Sequence, residues 1–353
     1  MTKPVFLTDK EVANHLFPFS QTRSVADIRI GILTIRQKWE LMLQQKITVL
    51  RGDELPPDNA IVFASNIVPS ARFVQSVIAH ADDPNSLPDY ESVKMLQYPW
   101  HIFQWNDWAL REDYKLLTEN RVSEPIPETV QTISPFNIFI EPGAVLNHCI
   151  LNASTGPIYI GKNAEIMEGA LIRGPFALGE GALIRMGAKI YGATTIGPYC
   201  MAGGEIKNSI MFAYSNKAHD GYLGDSVIGE WCNLGAGTSN SNIKNTASEV
   251  NVWHYPVNEY IRAGLKCGLL MGDYSRAAIN TSFNTGTVVG VCANVFGEGV
   301  PSKFIPSFTW GNKGLSLYEF EKALVDIANW KKLKNQTLTE EEISQLKTIF
   351  GQS

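Results

Sequence analysis

The stretch IGKNAEIMEGALIRGPFALGEGALIRMGAKIYGATTI, residues 160–196, carries an aliphatic residue at every sixth position: Ile160, Ile166, Ile172, Leu178, Ile184, Ile190 and Ile196. Small residues keep the same beat four positions on, at Ala164, Ala170, Ala182, Ala188 and Thr194, and Phe176 breaks that series. A helix repeats its apolar positions every three or four residues and a half-buried strand every two. A period of six calls for short strands joined at corners. Each unit lays one strand, points its aliphatic side chain at the coil axis and turns on the small residue, and stacked coils bury the column. The sequence predicts a β-solenoid, a parallel β-helix.

The beat resumes at Leu265, Met271, Ala277, Phe283, Val289 and Val295. Between the two runs, roughly 236–262, the chain is Asn- and Ser-rich and then aromatic (Trp253, His254, Tyr255, Tyr260), which reads as a long loop leaving the coil. The solenoid is expected over 134–312. Ahead of it, residues 1–133 mix strand-like runs at 46–52 and 59–65, a helical pattern at 69–80, a segment at 99–117 that ends in a helical stretch, and a Pro-rich linker at 123–128, as a small α/β unit would. Behind it, 313–353 carries two amphipathic helices, the second opened by the capping signature Thr339-Glu340-Glu341-Glu342. These helices are expected to cap the open end of the coil, which otherwise presents unpaired strand edges.

With 353 residues, 44% of them hydrophobic, 18% charged and a net charge of -5, the chain reads as a soluble protein of about two domains. An acidic balance without a basic stripe argues against nucleic acid as a partner. No run reaches the ~18 apolar residues of a membrane span and the amino terminus lacks a signal-peptide layout, so no membrane partner and a cytoplasmic location are expected. Cys149, Cys200, Cys232, Cys267 and Cys292 have neither CxxC spacing nor an even count and read as buried thiols.

A β-helix has flat faces, so chemistry must come from inserted loops or from grooves between subunits. The richest polar stretch, 203–242, interrupts the six-residue beat with Glu205, Lys207, Asn216, Lys217, His219, Asp220 and Tyr222. Within it, KAHDGYLGD (217–225) followed by NLGAGTSNSN (233–242) resembles the acetyltransferase half of the bifunctional enzymes that acetylate glucosamine 1-phosphate and then uridylylate it. That family carries Lys-Ala-Gly-His-x-x-Tyr-Leu-Gly-Asp before Asn-Ile-Gly-Ala-Gly-Thr; here one residue before the His is missing. Longer blocks (156–176, 184–198, 215–236 and 283–291) resemble a shorter, alternative form of those proteins, and the likeness extends over nearly the whole chain.

The resemblance implies a left-handed β-helix, a homotrimer with sites between subunits, and acetyl-coenzyme A as co-substrate. It places the general base on His219, with Glu205 as the acidic residue supporting it. The sugar phosphate would be held by Arg185 and Lys207, with Tyr222, Asn233 and Asn242 as further substrate-binding positions. A downstream family Lys finds only Lys244 as a candidate. Arg173 stands, like Arg185, directly after an inward aliphatic residue and shares the choice between phosphate ligand and wall decoration.

The chemistry fits these residue types. Acyl transfer to an amine needs a proton acceptor that works near neutrality, which suits His219. Arg gives a bidentate fork and Lys a point charge for phosphate. Arg185 and Lys207 are 22 residues apart, a little over the ~18 of a three-sided coil, and are expected to stack on one corner. An oxyanion needs a positioned donor, and the backbone N–H near Ala236 in the Gly-rich NLGAGT turn would contact the acetyl-coenzyme A thioester.

Residues 16–39, LFPFSQTRSVADIRIGILTIRQKW, resemble the part of a nucleotidyltransferase that follows its nucleotide-binding loop, with Arg23 at the matching Arg. Residues 1–15 contain no glycine, although phosphate-binding loops need close backbone approach. Asp9, Asp27 and Asp53 carry no metal-site spacing, so no metal site is assigned, and Mg²⁺ is expected only if this unit transfers nucleotides. Three readings stay open: an N-acetyltransferase acting on an amino-sugar phosphate, most simply glucosamine 1-phosphate, for cell-envelope sugar-nucleotide synthesis; a sugar-1-phosphate nucleotidyltransferase; and a non-catalytic trimeric scaffold.

Overall fold

The computed structural model describes residues 3–50, 52, 54–82 and 88–352; Asp53 lies outside them. Three parallel walls wind into a solenoid. The first wall has nine strands, from Ile138–Ile140 through Ile158–Ile160, Phe176–Leu178 and Thr194–Ile196 to Phe304–Ile305. The second has eight, from Val145–Leu146 to Asn294–Val295. The third has six, from Gln131–Ile133 to Tyr222–Gly224, so the coil begins slightly ahead of residue 134. Beyond Gly224 the third wall continues through side chains: Asn240 Oδ1 accepts from the Gly224 amide at 3.0 Å, and Asn240 Nδ2 donates to the Gly224 carbonyl at 3.1 Å.

The six-residue beat is the axial column. Ile160, Ile166, Ile172, Leu178, Ile184, Ile190 and Ile196 lie in one buried cluster, joined by Met271, Ala277, Phe283, Val289 and Val295. Leu265 does not belong to it. Although it stands six residues before Met271, it is 59% exposed, because the chain is still returning from its excursion there. That excursion includes an antiparallel hairpin, Asn251–His254 with Glu259–Arg262. The hairpin seats Trp253 on Phe304 of the first wall and Tyr255 on Phe17 of the amino-terminal region.

The amino-terminal unit has a three-stranded parallel sheet in the order Thr48–Leu50, Val5–Thr8, Ile61–Ala64, with helices Ile35–Leu43, Ala71–Asp82 and Asn106–Thr118. Thr34 opens the first of these helices with a capping box closed by Gln37. The unit shares one apolar core with Ile210, Phe212, Val227, Leu270 and Val288 of the first wall, so that wall is sealed from solvent. Asn106 and Asp113 are buried at this seam. Asn106 bonds the Gly31 amide and the Ala193 carbonyl, and Asp113 takes the Lys38 ammonium together with the Ile32 and Leu33 amides.

The carboxy-terminal helices, Phe320–Lys332 and Glu340–Phe350, form as expected, the second with the Thr339–Glu342 capping box. They do not cap the open end of the coil as expected but run along the corner between the first and second walls, where a mostly aromatic column of residues receives them. Phe350 meets Phe308 in the last coil, Lys331 lies over Trp231, and Lys334 Nζ reaches the Tyr199 carbonyl at 2.5 Å. The corner that receives them is a column of residues at positive φ: Tyr199, Tyr214, Trp231, Tyr274, Cys292 and Phe308. All five cysteines are free and buried, and burial pushes their thiols up, Cys149 to about 11. Among the described residues no helix is long and apolar enough to cross a membrane.

Candidate active site

The first wall is covered and the helices occupy one corner, which leaves the opposite corner, between the second and third walls, open to a ligand. Here the coil changes step. The second-wall axial residues Ile166 and Ile184 are followed six residues later by the third-wall Ile172 and Ile190, but Ala202 is followed after only four, by Ile206. The corner at Gly203 and Gly204 is therefore two residues short, and the corner of the next coil, Ala218-His219-Asp220, overhangs it.

Successive coils stack this corner in register. The Gly203 amide donates to the Lys217 carbonyl at 2.8 Å, and the Gly237 amide donates to the Asp220 carbonyl at 3.0 Å. Ala236 thus lies one coil above His219. Its carbonyl accepts from the Asn280 amide at 2.7 Å, while its own amide donates to none of the described residues. His219 is exposed, with its backbone fixed from three directions: Lys217 Nζ donates to its carbonyl at 2.5 Å, Gly237 holds Asp220, and the Glu205 amide donates to the Gly221 carbonyl at 3.2 Å.

Of the other expected site residues, Arg185 belongs to this corner, two coils below, exposed and with its Cβ against Gly203. Asn233, half-buried, lies between Asn216 and Arg276 on the second wall. Lys207 does not stack with Arg185. It sits at the far end of the third wall, aligned with Tyr191 and Gly224, and its ammonium lies 5.7 Å from the Tyr191 ring centroid. The expectation of one shared corner fails because Lys207 falls four residues beyond Gly203, the position that stacks on Arg185, and so lies past Ile206 on the third wall. Glu205 accepts from Tyr191 Oη at 2.6 Å, a bond that pushes the Tyr191 phenol up to about 12, and makes no bond to His219. Tyr222 turns its ring over Gly224 and accepts from Asn242 Nδ2 at 3.1 Å; burial pushes its phenol up. Asn242, buried, also donates to Asp225. Lys244 reaches the Glu249 carbonyl inside the loop, away from these groups. Two clusters result: Arg185, His219 and Ala236 at the open corner, and Lys207, Tyr222 and Asn242 at the far end of the third wall.

Lys217, named in the polar stretch but given no place in the expected site, is a buried charge. It occupies an axial position of the second wall, paired with Ala202, and is 2% exposed. Burial drives its ammonium down to about 8, against the pull of Asp220. The signal was present: Met211, Lys217 and Leu223 keep the six-residue beat, so a lysine stands where every other coil has an apolar side chain.

In the amino-terminal unit Arg23 is spent on the coil. Its guanidinium pairs with Glu230 at 2.6 Å and with Asp273, which also accepts from Thr22 at 2.5 Å. Asp27 pairs with Arg36, and Asp9 accepts from Ser24. Among the described residues no three His, Cys, Asp or Glu side chains are grouped to hold a metal ion.

Residues 5–80 match the family model for sugar nucleotidyl transferases. The bifunctional sugar-1-phosphate nucleotidylyltransferase/acetyltransferase of Sulfurisphaera tokodaii is 27% identical over 269 residues, covering 70% of this chain and 60% of that protein. The bifunctional protein GlmU of Methanococcus maripaludis is 36% identical over 88 residues, 24% of this chain and 20% of that protein. The chain therefore matches less than two thirds of the length of either relative. A solved Arabidopsis UDP-N-acetylglucosamine acyltransferase aligns with 64% of this chain and 88% of its own, at 15% identity and a TM-score of 0.27. The resemblance read from the sequence is thus met by relatives that pair nucleotidyl with acetyl transfer.

Proposed function

We propose that this chain, a relative of the bifunctional sugar-phosphate nucleotidyl- and acetyltransferases, moves an acetyl group from acetyl-coenzyme A to the amine of an amino-sugar phosphate, with glucosamine 1-phosphate as the expected acceptor and the cytoplasm as the place of reaction. One observation carries the reading: an exposed histidine on a braced turn lies one coil below a backbone amide that has no partner among the described residues. The neutral amine attacks the thioester carbonyl and the C–N bond forms. His219 takes the ammonium proton, and the unspent Ala236 amide donates to the oxyanion. The C–S bond then breaks, and the imidazolium returns a proton to the departing thiolate. Arg185 at the same corner supplies a fork for the sugar phosphate.

Lys207, Tyr222 and Asn242 lie at the other end of the third wall, which suits a trimer in which one subunit's third wall completes its neighbour's corner. The same wall carries a bare apolar strip, Ile133, Ile150 and Leu171, beside a cleft of about 470 Å³. Sedimentation as a monomer at micromolar concentration would sink the composite site.

The decisive measurement is thiol release from acetyl-coenzyme A with glucosamine 1-phosphate. His219→Ala is expected to lower turnover by about 10²- to 10⁴-fold with the fold intact; unchanged turnover would remove His219 as the base. The match over 5–80 favours a second reading, nucleotidyl transfer by the amino-terminal unit with Mg²⁺, and pyrophosphate release from a nucleoside triphosphate and a sugar 1-phosphate tests it.

A further inference from the structure

A lysine on the axis of a β-helix is costly, since its ammonium must leave water and its neighbours offer little in return. The equivalent position is Ala202 in the coil below and Leu234 in the coil above, so the fold has no need of a charge there. Among the described residues the one hydrogen-bond partner of the ammonium is the His219 carbonyl, at 2.5 Å. That bond crosses from the axis to the turn that carries the imidazole.

We propose that Lys217 is a positioning residue for acyl transfer: its buried ammonium holds the His219 turn against the two-residue step at Gly203-Gly204, fixing where the imidazole stands beneath the Ala236 amide. The inference rests on His219 as the base. Without the bond, the braces that remain hold Asp220 and Gly221, through the Gly237 and Glu205 amides, and the His219 peptide itself is left unheld among the described residues.

The surroundings decide what charge the lysine feels. On its own turn Asp220 is exposed and draws the proton toward Lys217; the coil below contributes Gly203 and Gly204, without charge, Arg185 stands two coils below, and the coil above contributes Gly235, Ala236 and Gly237, without charge. The half-buried Glu205 of the third wall is held by Tyr191. With burial lowering its pKa to about 8, the lysine keeps its charge below that pH and loses it above, and the weaker bond of the neutral amine lets the turn drift. Activity is expected to fall on the alkaline side for this reason.

The test compares the full chain with Lys217→Met, Lys217→Leu and His219→Ala, following thiol release with acetyl-coenzyme A and glucosamine 1-phosphate alongside thermal melting. The expected result is a kcat lowered about 10²-fold in both Lys217 variants, KM for acetyl-coenzyme A within about twofold, a melting temperature equal to or above that of the wild type, and no alkaline fall near pH 8. A merely structural lysine would lower the melting temperature and leave the pH profile alone. That pattern, or wild-type kcat in both variants while His219→Ala is inactive, overturns the proposal and leaves the base in place. If His219→Ala is as active as the wild type, the functional reading itself fails.

Discussion

Gly204 adopts φ +70°, and a methyl group there would meet the His219 carbonyl oxygen at 2.8 Å, the Asp220 Cα at 2.9 Å and the Gly221 oxygen at 2.9 Å. All three are backbone atoms of the turn that carries His219, the proposed base, so none can swing aside. Gly204→Ala is expected to cost about 1–3 kcal/mol of stability and, by lifting the turn, to lower kcat more than it changes KM; denaturant midpoints and thiol release measure the two. Gly187 is the control. It has the same hand of backbone, φ +69°, with nothing within 4 Å of an added methyl, so Gly187→Ala should show the backbone cost of about 1 kcal/mol and an unchanged kcat. At this scale the sequence was uneven evidence. His219 and Tyr222 stand out as candidates because they sit in a spaced motif. Lys217 is hard to pick out because it stands in a polar run, where its place on the axial beat is masked by polar neighbours. Glu205 was given to His219 on resemblance, whereas Tyr191, aligned one coil below Lys207, is the group that reaches it.

Between elements, side chains fix what periodicity leaves open. The two carboxy-terminal helices were legible from their apolar stripes and the Thr339 capping signature, but their resting place was not, because it depends on aromatic residues spaced irregularly at one corner of the coil. Glu342 joins them to that corner: it accepts from Lys331 at 2.5 Å and from Tyr274 at 2.9 Å and closes the capping box on the Thr339 amide at 2.8 Å. Burial pushes its carboxyl up, but the Lys331 ammonium and these donors outweigh burial and hold it below its ordinary value. A carboxyl depressed in the folded state gives stability that is present above its unfolded pKa and is lost as the pH falls through the folded one. The helical pair is therefore expected to loosen on acidification below about pH 4.5, seen as rising hydrogen exchange in 320–350, with less pH dependence in Glu342→Gln. Equal dependence in both proteins would move the acid sensitivity elsewhere. Leu265 marks the opposite failure of periodicity: it kept the count of six, but a long excursion resets the phase, and the chain bonds the coil again from Cys267, with the next wall strand starting at Leu269.

Across the whole molecule, the walls of the solenoid were legible because each coil repeats the same burial problem, while the docking of the amino-terminal unit on the first wall was not, because it joins residues far apart in sequence. Arg23 shows what the docking uses. Read by resemblance as the arginine after a nucleotide-binding loop, it reaches instead across 207 and 250 positions to Glu230 and Asp273. With side-chain exposures of 11% for Arg23 and 2% for Asp273, the pair is withdrawn from water, and removing one partner strands the other. Burial raises the Asp273 carboxyl above its ordinary value, and the Arg23 guanidinium and the Thr22 hydroxyl that donates to it oppose that rise. Arg23→Met is expected to destabilise the protein by about 3–5 kcal/mol and to let the amino-terminal unit melt ahead of the coil, splitting one calorimetric transition into two. Thiol release at low temperature should hardly change, because the His219 corner lies opposite the sealed wall. Loss of pyrophosphate release in Arg23→Met without the split transition would instead assign Arg23 to a nucleotide, and the first eighty residues would then be a second active centre.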